Sequence, residues 1–147
     1  MAGMSDLLGL LAREAASLVA RLRLWTPARW AAAAPVVGSR ADVVHHLAQR
    51  FADDAADMEG QPRRPLPRLD SDLGLPDQLA VTADDLVRAA PPDDLAREAA
   101  AHLLWHRRHL LGDDVPEGLL ARLGVADLDA AAARTCARPA PPARPPG

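Results

Sequence analysis

Lysine, isoleucine, asparagine and tyrosine are absent from this chain of 147 residues, and cysteine and phenylalanine occur once each. A single cysteine, Cys136, excludes an internal disulfide and a cysteine-based zinc cluster. All 17 basic residues are arginines, set against 20 carboxylates. The net charge of −3 leaves no basic footprint for nucleic acid. No apolar run approaches the ~20 residues needed to span a bilayer. The opening MAGMSDLLGL has no basic stretch before its leucines and no convincing cleavage site, so a soluble cytoplasmic protein is expected. The missing residue types have AT-rich codons and the abundant Ala, Arg, Gly and Pro have GC-rich ones. That points to a high-GC bacterial source and says nothing about the fold.

What is present is helical. Leu7, Leu8, Leu11, Ala15, Leu18 and Leu22 recur at helical spacing and predict a first helix over about residues 5–24, with Ser5 as N-cap. In WTPARW, Thr26 and Pro27 suit the N-cap and first position of a short turn. A second long helix is expected over 40–58, opened by Gly38 and Ser39, with Val44, Leu47, Ala48, Phe51, Ala55 and Met58 as its stripe. Residues 59–74, with three prolines and two glycines, read as a long crossing connection. A third helix starts near Pro76, and a fourth runs from the Pro91-Pro92-Asp93 signal to Gly112, a natural stop. PEGLLARLG from Pro116 and the run VADLDAAAAR add shorter segments. No stretch alternates as a strand would. The expectation is an all-α four-helix bundle over residues 1–135, with a long connection between helices two and three. Residues 136–147 are expected to form a disordered Pro-rich tail, since PAPPARPPG cannot pack a core.

Three of the five histidines fall within REAAAHLLWHRRHLL, residues 97–111. At about 100° per residue, with Leu95 at zero, Glu98 falls at about 300°, His109 at about 320°, His102 at about 340° and His106 at about 20°. These groups form one arc beside the apolar stripe, and burying them unpaired would cost several kcal/mol. Residues at i and i+4 share a face one turn apart, so Glu98, His102 and His106 can reach one ion. Imidazole and carboxylate suit Zn²⁺, and also Ni²⁺ or Fe²⁺. A facing helix can supply a third ligand, and the only other histidines are His45 and His46. Each flanks the apolar stripe of its helix, and periodicity does not choose between them. Trp105, at about 280°, is a candidate to line a pocket, although a core contact is its ordinary role.

Other chemistries have no support. There is no G-x-x-x-x-G-K-[ST] and no G-x-G-x-x-G, and four glutamates are too few for a di-iron bundle. Cys136, beside the tail, lacks the neighbourhood of a nucleophile.

The order of these features resembles the DinB-like bundles, and within them the mycothiol-dependent maleylpyruvate isomerase N-terminal-like group common in actinobacteria. The resemblance spans roughly residues 5–124. Asp42-Val43-Val44-His45-His46-Leu47 is similar to that group's Asp-Val-Val-x-His-Leu and selects His46 as a metal ligand. Glu98-Ala99-Ala100-Ala101-His102 is similar to its Glu-x3-His, and Trp30 to its tryptophan after helix one. The resemblance therefore implies a metal held by His46, Glu98 and His102, with His106 replacing Glu98 in a three-histidine version. It implies mycothiol as cosubstrate, thiol and electrophile as small-molecule partners, and a transferase or isomerase reaction. Arg40 would be an anion contact, with Trp105 and His109 lining the pocket. The chain departs from the pattern where Ser39-Arg40 replaces a tryptophan, and where Trp105 replaces an aspartate three residues after the last-helix histidine. Residues 125–147 are not expected to supply a counterpart of the isomerase's C-terminal domain. These departures suit the rival expectation of a non-catalytic interaction module, paired as a homodimer through a helix face.

Overall fold

The computed structural model describes residues 4–34 and 38–136. The expected Pro-rich tail falls outside them, except that Cys136 ends the last helix. The described residues are all-α: α1 (Met4–Leu22), α2 (Pro27–Ala31), α3 (Arg40–Met58), a 3₁₀ turn (Asp72–Gly74), α4 (Leu75–Arg88), α5 (Asp93–Leu111), α6 (Glu117–Leu123) and α7 (Leu128–Cys136). None of these helices is long and apolar enough to cross a membrane.

Local chemistry sets most of the boundaries. α3 starts on a capping box: Ser39 Oγ accepts from Asp42 N–H at 3.2 Å, and Asp42 accepts from Ser39 N–H at 2.9 Å. That exchange, with Arg68 alongside, holds the Asp42 carboxyl below its ordinary value. α2 has Thr26 as N-cap and Pro27 at its first position. α5 ends at Gly112, whose φ of 73° lies in the left-handed region where a side chain would be strained. The first long helix ends at Leu22, two residues before the expected Leu24; Leu24 is instead exposed in the turn to α2.

The four long helices enclose one core. α1 and α3 each pack against both α4 and α5. Leu11, Leu18, Leu22, Leu47, Phe51, Leu79, Leu86, Leu103 and Leu104 are among its fully buried side chains. Arg23 meets Asp77 at 2.9 Å, joining the end of α1 to the start of α4, so these two run antiparallel. Arg107 reaches Glu14 at 2.7 Å and Arg21 pairs with Asp113, so α1 and α5 run in the same direction. Arg40, at the start of α3, lies over Trp25 just beyond the end of α1, so α3 runs opposite to α1 and antiparallel to α5.

The connection between α3 and α4 returns along α3. Gln49 accepts from Leu66 N–H at 2.6 Å and donates to Arg64 carbonyl at 3.0 Å. His45 Nε2 donates to Leu66 carbonyl at 3.1 Å, and Arg68 reaches Asp42 at 2.9 Å. One face of α3 is thereby given to the connection, leaving the face of His46 for α5.

Candidate metal centre

α3 and α5 bring three imidazoles together. Ring centroids of His102 and His106 are 4.3 Å apart, and each lies 6.5 Å from His46. One helical turn sets the first distance, and the antiparallel facing of α3 sets the other two. His46 is exposed, whereas His102 and His106 are 1 % and 4 % exposed.

Neither ring nitrogen of His102 has a hydrogen-bond partner, although both are buried. Each such group costs about 1–3 kcal/mol unless something satisfies it. Burial pushes the His102 pKa down to about 2, and positive charge on His106, Arg50 and His46 adds to the effect. Burial also takes His106 down to about 4, against the opposing pull of its bond to His102 carbonyl. Both imidazoles are therefore neutral at pH 7, the protonation state that metal ligation needs. Beside them, Arg50 Nε meets the buried Asp54 carboxylate at 3.2 Å.

The remaining candidates occupy other positions. Glu98, half-buried one turn before His102, lines a groove between α5 and the α6–α7 segment together with Arg97, Gly124 and Asp127. Arg40 stands over the Trp25 ring at 5.6 Å, and Arg29 stands over the same ring at 4.7 Å. His109 stacks on Trp105 with centroids 4.0 Å apart, and its Nδ1 donates to Trp105 carbonyl at 2.8 Å. His45 is engaged with the connection.

Two imidazoles on one tetrahedral Zn²⁺, with Zn–N of about 2.0–2.1 Å, have centroids about 5 Å apart. The His102–His106 distance is a little shorter than that and the distances to His46 are longer. Among the described residues, no group of three or more His, Cys, Asp or Glu side chains is arranged to hold an ion as it stands. Closing the triangle requires His46 to swing inward by about 1–2 Å, and its exposure leaves it room to move. The donor set fits the ion in chemistry and approaches it in geometry.

The helical wheel did not reveal Asp129 of α7. It accepts the Trp105 indole N–H at 2.9 Å and an Arg108 N–H at 2.5 Å. An aspartate at the second position of a short alanine-rich helix carries no signal of its own. Family models, curated proteins and solved structures were all compared with the chain, and none matches it.

Proposed function

We propose that His46, His102 and His106 hold a divalent metal, Zn²⁺ above Ni²⁺ or Fe²⁺, between two helices of a DinB-like four-helix bundle. The observation that carries this reading is His102: a fully buried imidazole, neutral at pH 7, with neither nitrogen satisfied and two further imidazoles beside it. Coordination would satisfy one of those nitrogens. Glu98 borders a different groove, which favours the three-histidine set over the set containing Glu98.

When bound, the metal supplies positive charge that lowers the pKa of a low-molecular-weight thiol, mycothiol in our reading, for attack on an electrophile. The chain's own residues do the rest. His102 and His106 remain neutral, and the leucines of α3 and α5 keep water from their inner side. Arg50, paired with the buried Asp54, lies beside the site. The activity would be a cytoplasmic thiol transfer or thiol-assisted isomerisation. The test is metal analysis of protein purified without a His-tag, followed by mycothiol assays on a panel of electrophiles with and without chelator. Turnover that ignores chelation would rule out the mechanism.

A second reading has its own observation. A groove between α1 and α4 has Val19 buried at its floor and Ala12, Ala16 and Val81 exposed along it, with Arg23 and Asp84 also lining it, Val81 being 59 % exposed. It suits a non-catalytic module that pairs through a helix face. A monomer at micromolar concentration by sedimentation would remove this reading.

A further inference from the structure

The indole of Trp105 contacts two imidazoles. His109 lies 4.0 Å from it with planes inclined by 34°, and His106 lies 5.0 Å from it with planes inclined by 73°. A side chain so placed could still pivot about its own χ angles, and the fixed point is its nitrogen. Nε1 donates to Asp129 Oδ1 at 2.9 Å. Asp129 is held in turn: Asp127 Oδ1 accepts from Asp129 N–H at 2.9 Å and from Ala130 N–H at 3.2 Å, an N-cap that sets the start of α7. The chain of contacts runs from the α7 cap through Asp129 to Trp105 and ends on the ring of His106.

We infer that Asp129 and Trp105 are positioning residues for His106, with α7 acting as the outer support of the three-histidine site. The part of this inference that concerns metal rests on the function proposed above. Metal-binding histidines depend on groups outside the ligand set that fix ring orientation, and loss of such a group commonly weakens affinity 10–100-fold. His106 has one such partner in the His102 carbonyl, which fixes Nδ1. A single hydrogen bond fixes one nitrogen, and the Trp105 ring 5.0 Å away restricts rocking about it. The Asp129 side chain is 68 % exposed, so its replacement disturbs no core packing.

The experiment uses the full chain without a tag, as wild type, Asp129→Ala, Asp129→Asn and Trp105→Phe. In metal-free protein, the His106 imidazole resonances are followed by NMR; in parallel, Zn²⁺ alone is titrated calorimetrically. Asp129→Ala and Trp105→Phe are expected to shift the His106 resonances and weaken Zn²⁺ binding about 10-fold or more. Asp129→Asn, whose amide oxygen still accepts the indole N–H, should restore both to near wild type even though it loses the charge facing Arg108. Unmoved His106 resonances together with wild-type Zn²⁺ affinity in Asp129→Ala would overturn the inference and leave the metal site standing. If wild type binds no Zn²⁺ while the resonances still move, the metal reading fails and the support of His106 by α7 stands.

Discussion

The Nδ1 of His106 lies 2.8 Å from the carbonyl oxygen of His102, one turn earlier on the same helix. A carbonyl can only accept, so Nδ1 carries the proton and the lone pair resides on Nε2. The helix backbone thus selects the tautomer of one candidate ligand before any ion arrives. Replacing His106 with glutamine, which cannot reproduce an imidazole with one nitrogen so fixed, should weaken Zn²⁺ binding at least 100-fold. Isothermal titration at pH 7.5 measures it, and wild-type affinity in His106→Gln would remove His106 from the ligand set.

His102 gives a prediction of opposite sign for stability. Its two unsatisfied nitrogens oppose folding in the metal-free protein, so His102→Leu, apolar and of similar bulk, should stabilise that form by about 1–2 kcal/mol. The same variant should lose all stabilisation by Zn²⁺, which for wild type is about 2.7 kcal/mol at 100 times the dissociation constant. Urea unfolding with and without Zn²⁺ separates the two effects. A metal-free His102→Leu protein less stable than wild type would show that the imidazole is satisfied in solution.

The pH dependence follows from the same burial. The folded-state pKa values of His102 and His106 are lowered to about 2 and about 4, below the ordinary 6.5. Between those values and 6.5 the unfolded chain binds more protons than the folded one, so stability rises with pH across that window. The full contribution is present above pH 6.5 and is lost as pH falls through the window. Two histidines in step set an upper slope of ~2.7 kcal/mol per pH unit near pH 5. Chemical denaturation of metal-free protein from pH 7.5 to 4.5 should show the decline. A double variant, His102→Leu with His106→Leu, should flatten it.

The four long helices were legible in the sequence because their signals are local: the 40–58 stripe, the Ser39 cap, the Pro91-Pro92-Asp93 entry and the Gly112 exit. The choice between His45 and His46 was not local. It depends on the connection lying along α3, where Leu66 engages His45 and leaves His46 to face α5. Periodicity also placed Glu98, His102, His106 and His109 on one arc, which the fold divides. α7 packs along the flank of α5 and takes the Trp105 edge through Asp129. Glu98 borders the groove beside that segment, His109 stacks outside it, and only the two central histidines are buried. A nine-residue helix of mostly small residues gives too weak a pattern to foretell that docking.

The connection along α3 carries a prediction of its own. Gln49 holds it at both Leu66 and Arg64 with a single side chain. Gln49→Ala should cost about 1–3 kcal/mol, the range for backbone groups left unpaired, and should speed tryptic cleavage after Arg63 and Arg68. Limited proteolysis with mass mapping reads the sites. Equal cleavage rates in the two proteins would mean that His45, Arg63 and Arg68 hold the segment without Gln49.

The most direct measurement for the metal centre is Zn²⁺ stoichiometry and X-ray absorption on tag-free protein, as wild type and as His46→Ala, His102→Ala and His106→Ala. The account predicts one Zn²⁺ per chain in wild type, with three imidazole nitrogens at about 2.0–2.1 Å and an open fourth position. Each alanine variant should lose most of the ion, whereas Glu98→Ala should retain it. No stoichiometric Zn²⁺ in wild type, or occupancy unchanged by His102→Ala, would contradict it.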